Sequence, residues 1–368
     1  MNFAIVHNSI PQFGGIENQI LLLIDYLKSK NRVIFITNCP KSEISIRLQH
    51  MGIKVYSCSG SLLPFIYFIS RICQKEKIDI LQAHTFDSGI KIRLIKLFYP
   101  RLKIVVRVHT YIKSSWISDF KKRIYYLIDS LTSPLVSKFI INGGYLLDEI
   151  KLNTHINVDK LVSVIDGIKE IIPLKNLSLP QFNKPLQLLM IANIVPHKGH
   201  DILIKGIKLL KDKGISCSCR IVGAIDIDIN YYNSLRLLSR ELSIENQIIF
   251  LGFQSKIRDF LERTDIVVLP SDSEGTPNCI MEGMSAKRLV IVSDTGGVKE
   301  MVKNGVTGFI HKPYSYEDFA EAIEDISKMD KSELQSIVNN GYEFWSSNLS
   351  RTAMVKSFER IYNELDKQ

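Results

Sequence analysis

An alternation constrains this chain more than any other feature: short runs rich in Val, Ile and Phe are separated by longer stretches of helical periodicity. In the first half NFAIV, RVIFIT, KVYS, DILQA, KIVVRVH and KFIIN read as strands. Helical patterns lie between them, as at residues 16–29 and 120–131. A continuously apolar strand needs cover on both faces, and intervening helices make neighbouring strands parallel. The pattern predicts a doubly wound α/β domain. It breaks at IIPLKNLSLPQFNKP, residues 171–185, which is proline-rich, lacks a period and reads as a linker. A second set then runs through LQLLMIA, CRIVGA, QIIFLGF, DIVVLP and LVIVSD. A length of 368 residues suits two such domains. The expected division is 1–170, linker 171–185, 186–345, and a helix in 346–368 that packs back on the first domain. A crevice between two such domains, at the carboxyl ends of their strands, is the expected place for chemistry.

Composition excludes several classes. The six cysteines are scattered and match neither a zinc pattern nor a disulfide framework, so a reducing cytoplasm is expected. The N-terminal MNFAIVHN reads as a strand rather than a leader, and no apolar run is long enough to span a bilayer. The net charge of +9 is uneven. Residues 1–170 carry 23 Lys and Arg against 13 Asp and Glu, and the remainder 24 against 25. The excess is densest between Lys91 and Arg123, with aromatics interleaved. Three readings stay open there: a face for anionic lipid, a nucleic-acid surface, or a solvated basic face. No nucleic-acid motif accompanies the charge, so nucleic acid is not an expected partner.

Chemistry concentrates in SDSEGTPNCIMEGM, which follows the apolar run DIVVLP. Thr276 is a good N-cap and Pro277 suits a first helical position. A helix starting there presents the amides of Asn278, Cys279 and Ile280 together with its positive dipole end, a site for phosphate. Glu274 just before the helix and Glu282 within it are acceptors for hydroxyls on either side of that anion. The pattern suits a diphosphate carrying a sugar at each end.

This stretch resembles the signature of family 4 glycosyltransferases, whose fold is called GT-B. Members typically read P-S-x-x-E-G-x-P-x-x-x-x-E-A, and this chain supplies Pro270, Ser271, Glu274, Gly275, Pro277 and Glu282, with Gly283 where Ala is usual. The resemblance implies two Rossmann-like domains. The second would bind a nucleotide diphosphate sugar and the first an acceptor. It implies that Glu274 holds donor-sugar hydroxyls and that Glu282 binds the ribose. FGGIE after the first strand matches the loop that packs on the donor diphosphate, which gives Gly15 that role. VPHKGHD supplies Lys198 for the leaving diphosphate. The arginine usual beside it is missing, with Asn193 in its apparent place as a hydrogen-bond donor. Phe253, ending QIIFLGF, matches the segment that contacts the base. His109, ending VRVH, matches a histidine that approaches the donor sugar.

No cofactor and no metal are expected, the donor being a UDP- or GDP-sugar. Asp226 and Asp228 imitate a metal motif but sit in a loop, and this fold usually works without metal. His197 and His200 read as incidental. The reading is a retaining glycosyltransferase, metal-independent and of hexosyltransferase type. It acts on a glycan or lipid-linked acceptor in bacterial-type cell-surface polysaccharide synthesis, in the cytoplasm or on the inner face of the membrane. The alternatives are a nucleotide-sugar epimerase of the same fold and a non-catalytic nucleotide-sugar-binding protein.

Overall fold

The computed structural model describes residues 1–8, 14–58, 61–84, 86–109, 118–171, 179–181 and 183–367. The chain divides into two compact units: residues 1–166 with 354–368, and residues 167–353.

The first unit contains strands β1 (Asn2–His7), β2 (Arg32–Thr37), β3 (Lys54–Ser57), β4 (Ile80–Ala83), β5 (Lys103–Val108), β6 (Lys138–Ile141) and β7 (Leu161–Ser163). Its helices are α1 (Gly15–Leu27), α2 (Glu43–His50), α3 (Leu62–Lys75), α4 (Phe86–Arg93), α5 (Asp119–Thr132) and α6 (Tyr145–Asn153). All seven strands are parallel, in the order β3-β2-β1-β4-β5-β6-β7. β1 shows why the strand runs are continuously apolar. Phe3 and Ile5 point into one core with α1, and Ala4 and Val6 into another with α3. Both faces are covered, so alternation of side chains produces no alternation of polarity. β7 is unexpected: three residues at a sheet edge carry too little apolar signal to stand out.

The second unit contains β8 (Leu186–Ile191), β9 (Cys217–Val222), β10 (Ile248–Phe250), β11 (Ile266–Leu269), β12 (Leu289–Ser293) and β13 (Phe309–His311). Its helices are α7 (His200–Asp212), α8 (Ile229–Glu241), α9 (Ile257–Leu261), α10 (Asn278–Ser285), α11 (Val298–Met301), α12 (Tyr316–Lys328) and α13 (Lys331–Phe344). The sheet is again parallel, in the order β10-β9-β8-β11-β12-β13.

The C-terminal helix α14 (Arg351–Asp366) returns to the first unit. It buries Met354, Val355, Phe358, Ile361, Tyr362 and Leu365, an i, i+4, i+7, i+11 face, into the same core as Phe3. The Tyr362 ring meets Phe3 edge-on at 4.9 Å. Truncating Phe358 there would cost about 3–5 kcal/mol. The division falls after Asp166 and the return begins at Met354, so residues 346–353, expected with the return, belong to the second unit. Of the expected linker, residues 172–178 and 182 lie outside the described residues. No described helix is long and apolar enough to cross a membrane.

The basic run between Lys91 and Arg123 is thinner at the surface than its count suggests. Arg93 is buried and paired with Asp129 at 2.6 Å, and Arg107 is buried and paired with Asp166 at 2.6 Å. Lys113, Tyr111 and Trp116 lie outside the described residues.

Candidate functional site

Both sheets place their first strand centrally and build outward in two directions, so each has a switch point: β1/β4 in the first unit, β8/β11 in the second. Loops leaving adjacent strands diverge there and leave room for a ligand at the carboxyl edge.

In the second unit the loops after β8 and β11 are locked together. Gly199 has φ +70°, and a Cβ on it would stand 1.9 Å from the Pro270 carbonyl oxygen. Only glycine satisfies both the left-handed backbone and that approach. The Asp272 amide donates to the His197 carbonyl at 3.0 Å. On the other side Gly296, with φ +51°, would carry its Cβ 1.7 Å from the Glu274 carbonyl oxygen. These contacts bring Lys198 Nζ to 2.7 Å from Glu274 Oε1. The carboxylate is nearly covered, at 8% exposure, and the ammonium is open at 24%. An ammonium so placed can turn to an incoming phosphate and release its carboxylate to accept hydroxyls.

Helix α10 starts beside this pair. It begins at Asn278 with Pro277 as the cap residue and no side-chain cap. This corrects the expected Thr276 cap by one residue. The Ile280 amide already donates to the Pro277 carbonyl at 3.2 Å, so Asn278 and Cys279 head the helix without an intrahelical acceptor. Gly283 lets α10 lie close on the sheet, since a Cβ there would meet Val290 Cγ1 at 2.8 Å and Val267 Cβ at 3.1 Å. Alanine at this position requires those valines to shift. Glu282 is half-buried, and burial pushes its carboxyl up to about 7. Asn193 is exposed, and its Oδ1 accepts the Ala224 amide at 3.1 Å, so its amide NH2 is the group left to donate. Phe253, after β10, is 76% exposed. Asp228 caps α8 by accepting the Tyr231 amide at 2.9 Å, a local role. His200 is buried, which lowers its imidazole to about 4.

In the first unit the same edge carries a continuous buried polar chain, with Arg107 Nη1 its one member atom that finds no partner among the described residues. The Tyr362 hydroxyl donates to Gln82 Oε1 at 2.6 Å, and Gln82 Nε2 lies 2.8 Å from His84 Nε2. His84 Nδ1 lies 3.2 Å from His109 Nε2, and His109 Nδ1 lies 3.4 Å from Asp166 Oδ2. Asp166 also accepts from Arg107 Nη2 at 2.6 Å and from Asn142 Nδ2 at 2.8 Å. Burial alone would raise the Asp166 carboxyl, but Arg107 and His109 bring it to about 2. Burial lowers His109 and holds His84 well below its ordinary value, so both rings are neutral. With Asp166 ionised, His109 carries its proton on Nδ1 and accepts at Nε2, and His84 donates from Nδ1. Nearer β1, Glu17 accepts the Gly14 amide at 3.0 Å and holds His7 Nε2 at 2.9 Å.

Comparison with known proteins gives the family. Residues 13–167 match the model described as "Glycosyltransferase Family 4" and residues 176–344 that described as "Glycosyl transferases group 1". The chain belongs to the family 4 glycosyltransferases of GT-B fold. One relative is the N,N'-diacetylbacillosaminyl-diphospho-undecaprenol alpha-1,3-N-acetylgalactosaminyltransferase of Campylobacter jejuni. It is 24% identical, covering 92% of this chain and 94% of the relative. Another is the capsular polysaccharide biosynthesis glycosyltransferase CapM of Staphylococcus aureus, 23% identical over 99% of this chain and 96% of its own. The crystal structure of Anabaena HepE in complex with UDP superposes with TM-score 0.86 at 18% identity, covering 99% of this chain and 100% of HepE.

In this glycosyltransferase the second unit gathers Lys198, Glu274, Glu282 and the head of α10 along one edge, with Asn193 and Phe253 on loops of the same edge. In the first unit Gly15 opens α1 but its neighbour Gly14 is already engaged by Glu17, and Phe13 lies outside the described residues. His109 sits at the strand end as expected, with both ring nitrogens inside the polar chain. Sequence reasoning missed His7, Glu17, His84, Asn142 and Asp166. Polar residues directly after an apolar strand were the available signal for His84 and Asn142, the same signal that singled out His109.

Proposed function

We propose that this glycosyltransferase moves a sugar, with retention of anomeric configuration, from a UDP- or GDP-sugar to a glycan or lipid-linked acceptor in bacterial-type cell-surface polysaccharide assembly. The carrying observation is the Lys198–Glu274 pair at 2.7 Å, set at the β8/β11 switch point beside the start of α10. In this reading the second unit holds the donor. Lys198 and the amides of Asn278 and Cys279 neutralise the departing diphosphate. Glu274 accepts sugar hydroxyls, Glu282 the ribose diol, and Phe253 lies against the base. Asn193 donates where an arginine is usual. The first unit takes the acceptor. We assign Gly15 a role toward the diphosphate and His109 a role toward the sugar, the ring exchanging its His84 partner for a sugar hydroxyl.

The C–O bond to the diphosphate breaks as the acceptor oxygen attacks from the same face, and the leaving phosphate takes the acceptor proton. Charge on the diphosphate is met by the ammonium and amides, so no metal or cofactor is required in this reading, and turnover should survive EDTA. The named activities of the C. jejuni and S. aureus relatives support a lipid-linked or capsular acceptor. The UDP in HepE supports the donor class. We place the chain at the cytoplasmic face of an anionic membrane.

Thermal shift against a panel of UDP- and GDP-sugars tests the reading. A donor at about 100 times its Kd stabilises a protein by about 2.7 kcal/mol, so the right one stands out. A flat response across the panel, with no transfer to lipid-linked acceptors, would overturn it.

A further inference from the structure

Helix α5 carries an apolar face that no described residue covers. Phe120, Ile124, Leu127 and Leu131 are 72%, 40%, 58% and 70% exposed. Their 4-3-4 spacing sets them in one stripe along the helix. Apolar stripes on a packed helix ordinarily face the core, and here the core side is already used. Tyr125 and Tyr126 pack on the sheet's core, and Asp129 is buried in its 2.6 Å pair with Arg93. Rolling the stripe inward would unpair a buried carboxylate and guanidinium, which is strongly unfavourable. The stripe therefore faces outward by construction. Exposed Lys121 and Arg123 lie beside it near the N-terminal end. Helix α3 of the same unit adds a groove of about 500 Å³, bordered by Leu63 and Tyr67 with Phe98, and Arg71 lines it too. Leu63, Tyr67 and Phe98 are 76%, 69% and 65% exposed.

We propose that α5 lies in the interface of an anionic bilayer, its stripe among the acyl chains and Lys121 and Arg123 among the headgroups, with the α3 groove meeting the same surface. Two features select lipid over a second copy. Apolar residues flanked by cations match a headgroup–acyl boundary. Self-association through the stripe would bring those cations toward each other, with Asp119, already paired with Lys122 at 3.2 Å, as the acid beside them. The inference deepens the membrane location proposed above by naming the surface. It also changes the physics: binding is insertion as well as attraction, so part of it should resist salt.

Flotation with phosphatidylcholine vesicles containing about 30% phosphatidylglycerol tests this. The wild-type chain should bind at about 0.1 M salt and keep a measurable fraction at about 0.5 M, where exposed charges are screened within a few ångström. F120S/L127S should lower partitioning about tenfold or more at both salts. K121E/R123E should weaken it mainly at low salt. Far-UV circular dichroism and the UDP-sugar thermal shift should match wild type in both, since neither touches the second unit. The proposal fails if wild type ignores anionic vesicles at low salt, or if F120S/L127S binds undiminished. It fails too if wild type is a dimer that F120S/L127S dissociates, because the stripe then serves a second copy. Vesicle binding without any nucleotide-sugar response would instead sink the donor reading and leave this one standing.

Discussion

The two sheets share a strand order over six strands, the first adding a seventh at its edge, and their carboxyl edges carry opposite kinds of polar chemistry. In the first unit buried side chains bond one another in sequence, from Tyr362 on α14 through Gln82, His84 and His109 to Asp166 and Arg107. In the second the principal groups are one partly open ion pair and a half-buried carboxyl raised to about 7. One edge is a buried polar scaffold from which His109 is proposed to reach a ligand by giving up His84; the other keeps charge available to a ligand. An architecture therefore does not dictate what its switch point is for, and the test is whether polar groups there are already consumed.

Breaking the principal ion pair of each edge should cost mainly stability in the first unit, with some turnover lost through His109, and mainly turnover in the second. Asp166→Asn strands Arg107 in the interior, and losing one partner of a buried pair costs about 3–5 kcal/mol. Urea unfolding should read this as a lower midpoint at unchanged slope. A loss under about 1 kcal/mol would mean that the polar chain is not continuous. Glu274→Gln and Lys198→Ala should do the reverse. Turnover should fall about 10²–10³-fold, the scale on which one transition-state donor is felt. The double variant should lose less than the product of the single losses, as groups acting together do. Near-normal turnover in Glu274→Gln would remove that residue from the donor site.

The contrast also explains what was legible in the sequence. Strands such as KIVVRV and IVVL announce themselves because both faces are buried, and the strand-turn-proline pattern around Glu274 is local. What escaped was long-range. The partner of Arg107 lies 59 residues away, after a three-residue edge strand with almost no pattern, so the arginine counted as surface charge. Arg93 was miscounted likewise, because Asp129 sits on a helix whose outward stripe resembles an ordinary amphipathic face. Neither pairing has a local signature, and charge counting cannot tell a buried guanidinium from a solvated one.

A smaller effect should appear on acidification. His84 and His109 have folded values below the ordinary histidine value of about 6.5, so the unfolded chain takes up these protons first. Their contribution to stability is present above about pH 6.5 and is lost as pH falls below it. His200 in the second unit, lowered to about 4, adds to the same slope. Asp166, at about 2, has its contribution in place above about pH 4 and loses it only below that. Unfolding free energy should therefore decline between about pH 6.5 and 5 in wild type and less steeply in His84→Gln. Identical slopes would show that His84 is not held neutral by the scaffold.

The finest discrimination concerns Glu282. With its carboxyl near 7, about half the ligand-free molecules are protonated at neutral pH. A ribose diol donates hydrogen bonds, and these favour the ionised form. Donor binding should then release roughly half a proton at pH 7 and almost none at pH 9, where ionisation is already complete. Affinity should accordingly rise with pH through 7 and level off above it. Calorimetry in two buffers of different ionisation enthalpy reads the release directly, as a buffer-dependent apparent heat. Glu282→Gln should abolish the buffer dependence and weaken binding by about tenfold or more, the worth of a hydrogen bond to a charged group. Identical heats in both buffers at pH 7, with tight donor binding, would take Glu282 out of contact with the ribose. The second unit's edge would then be less open to the ligand than the comparison with the first requires.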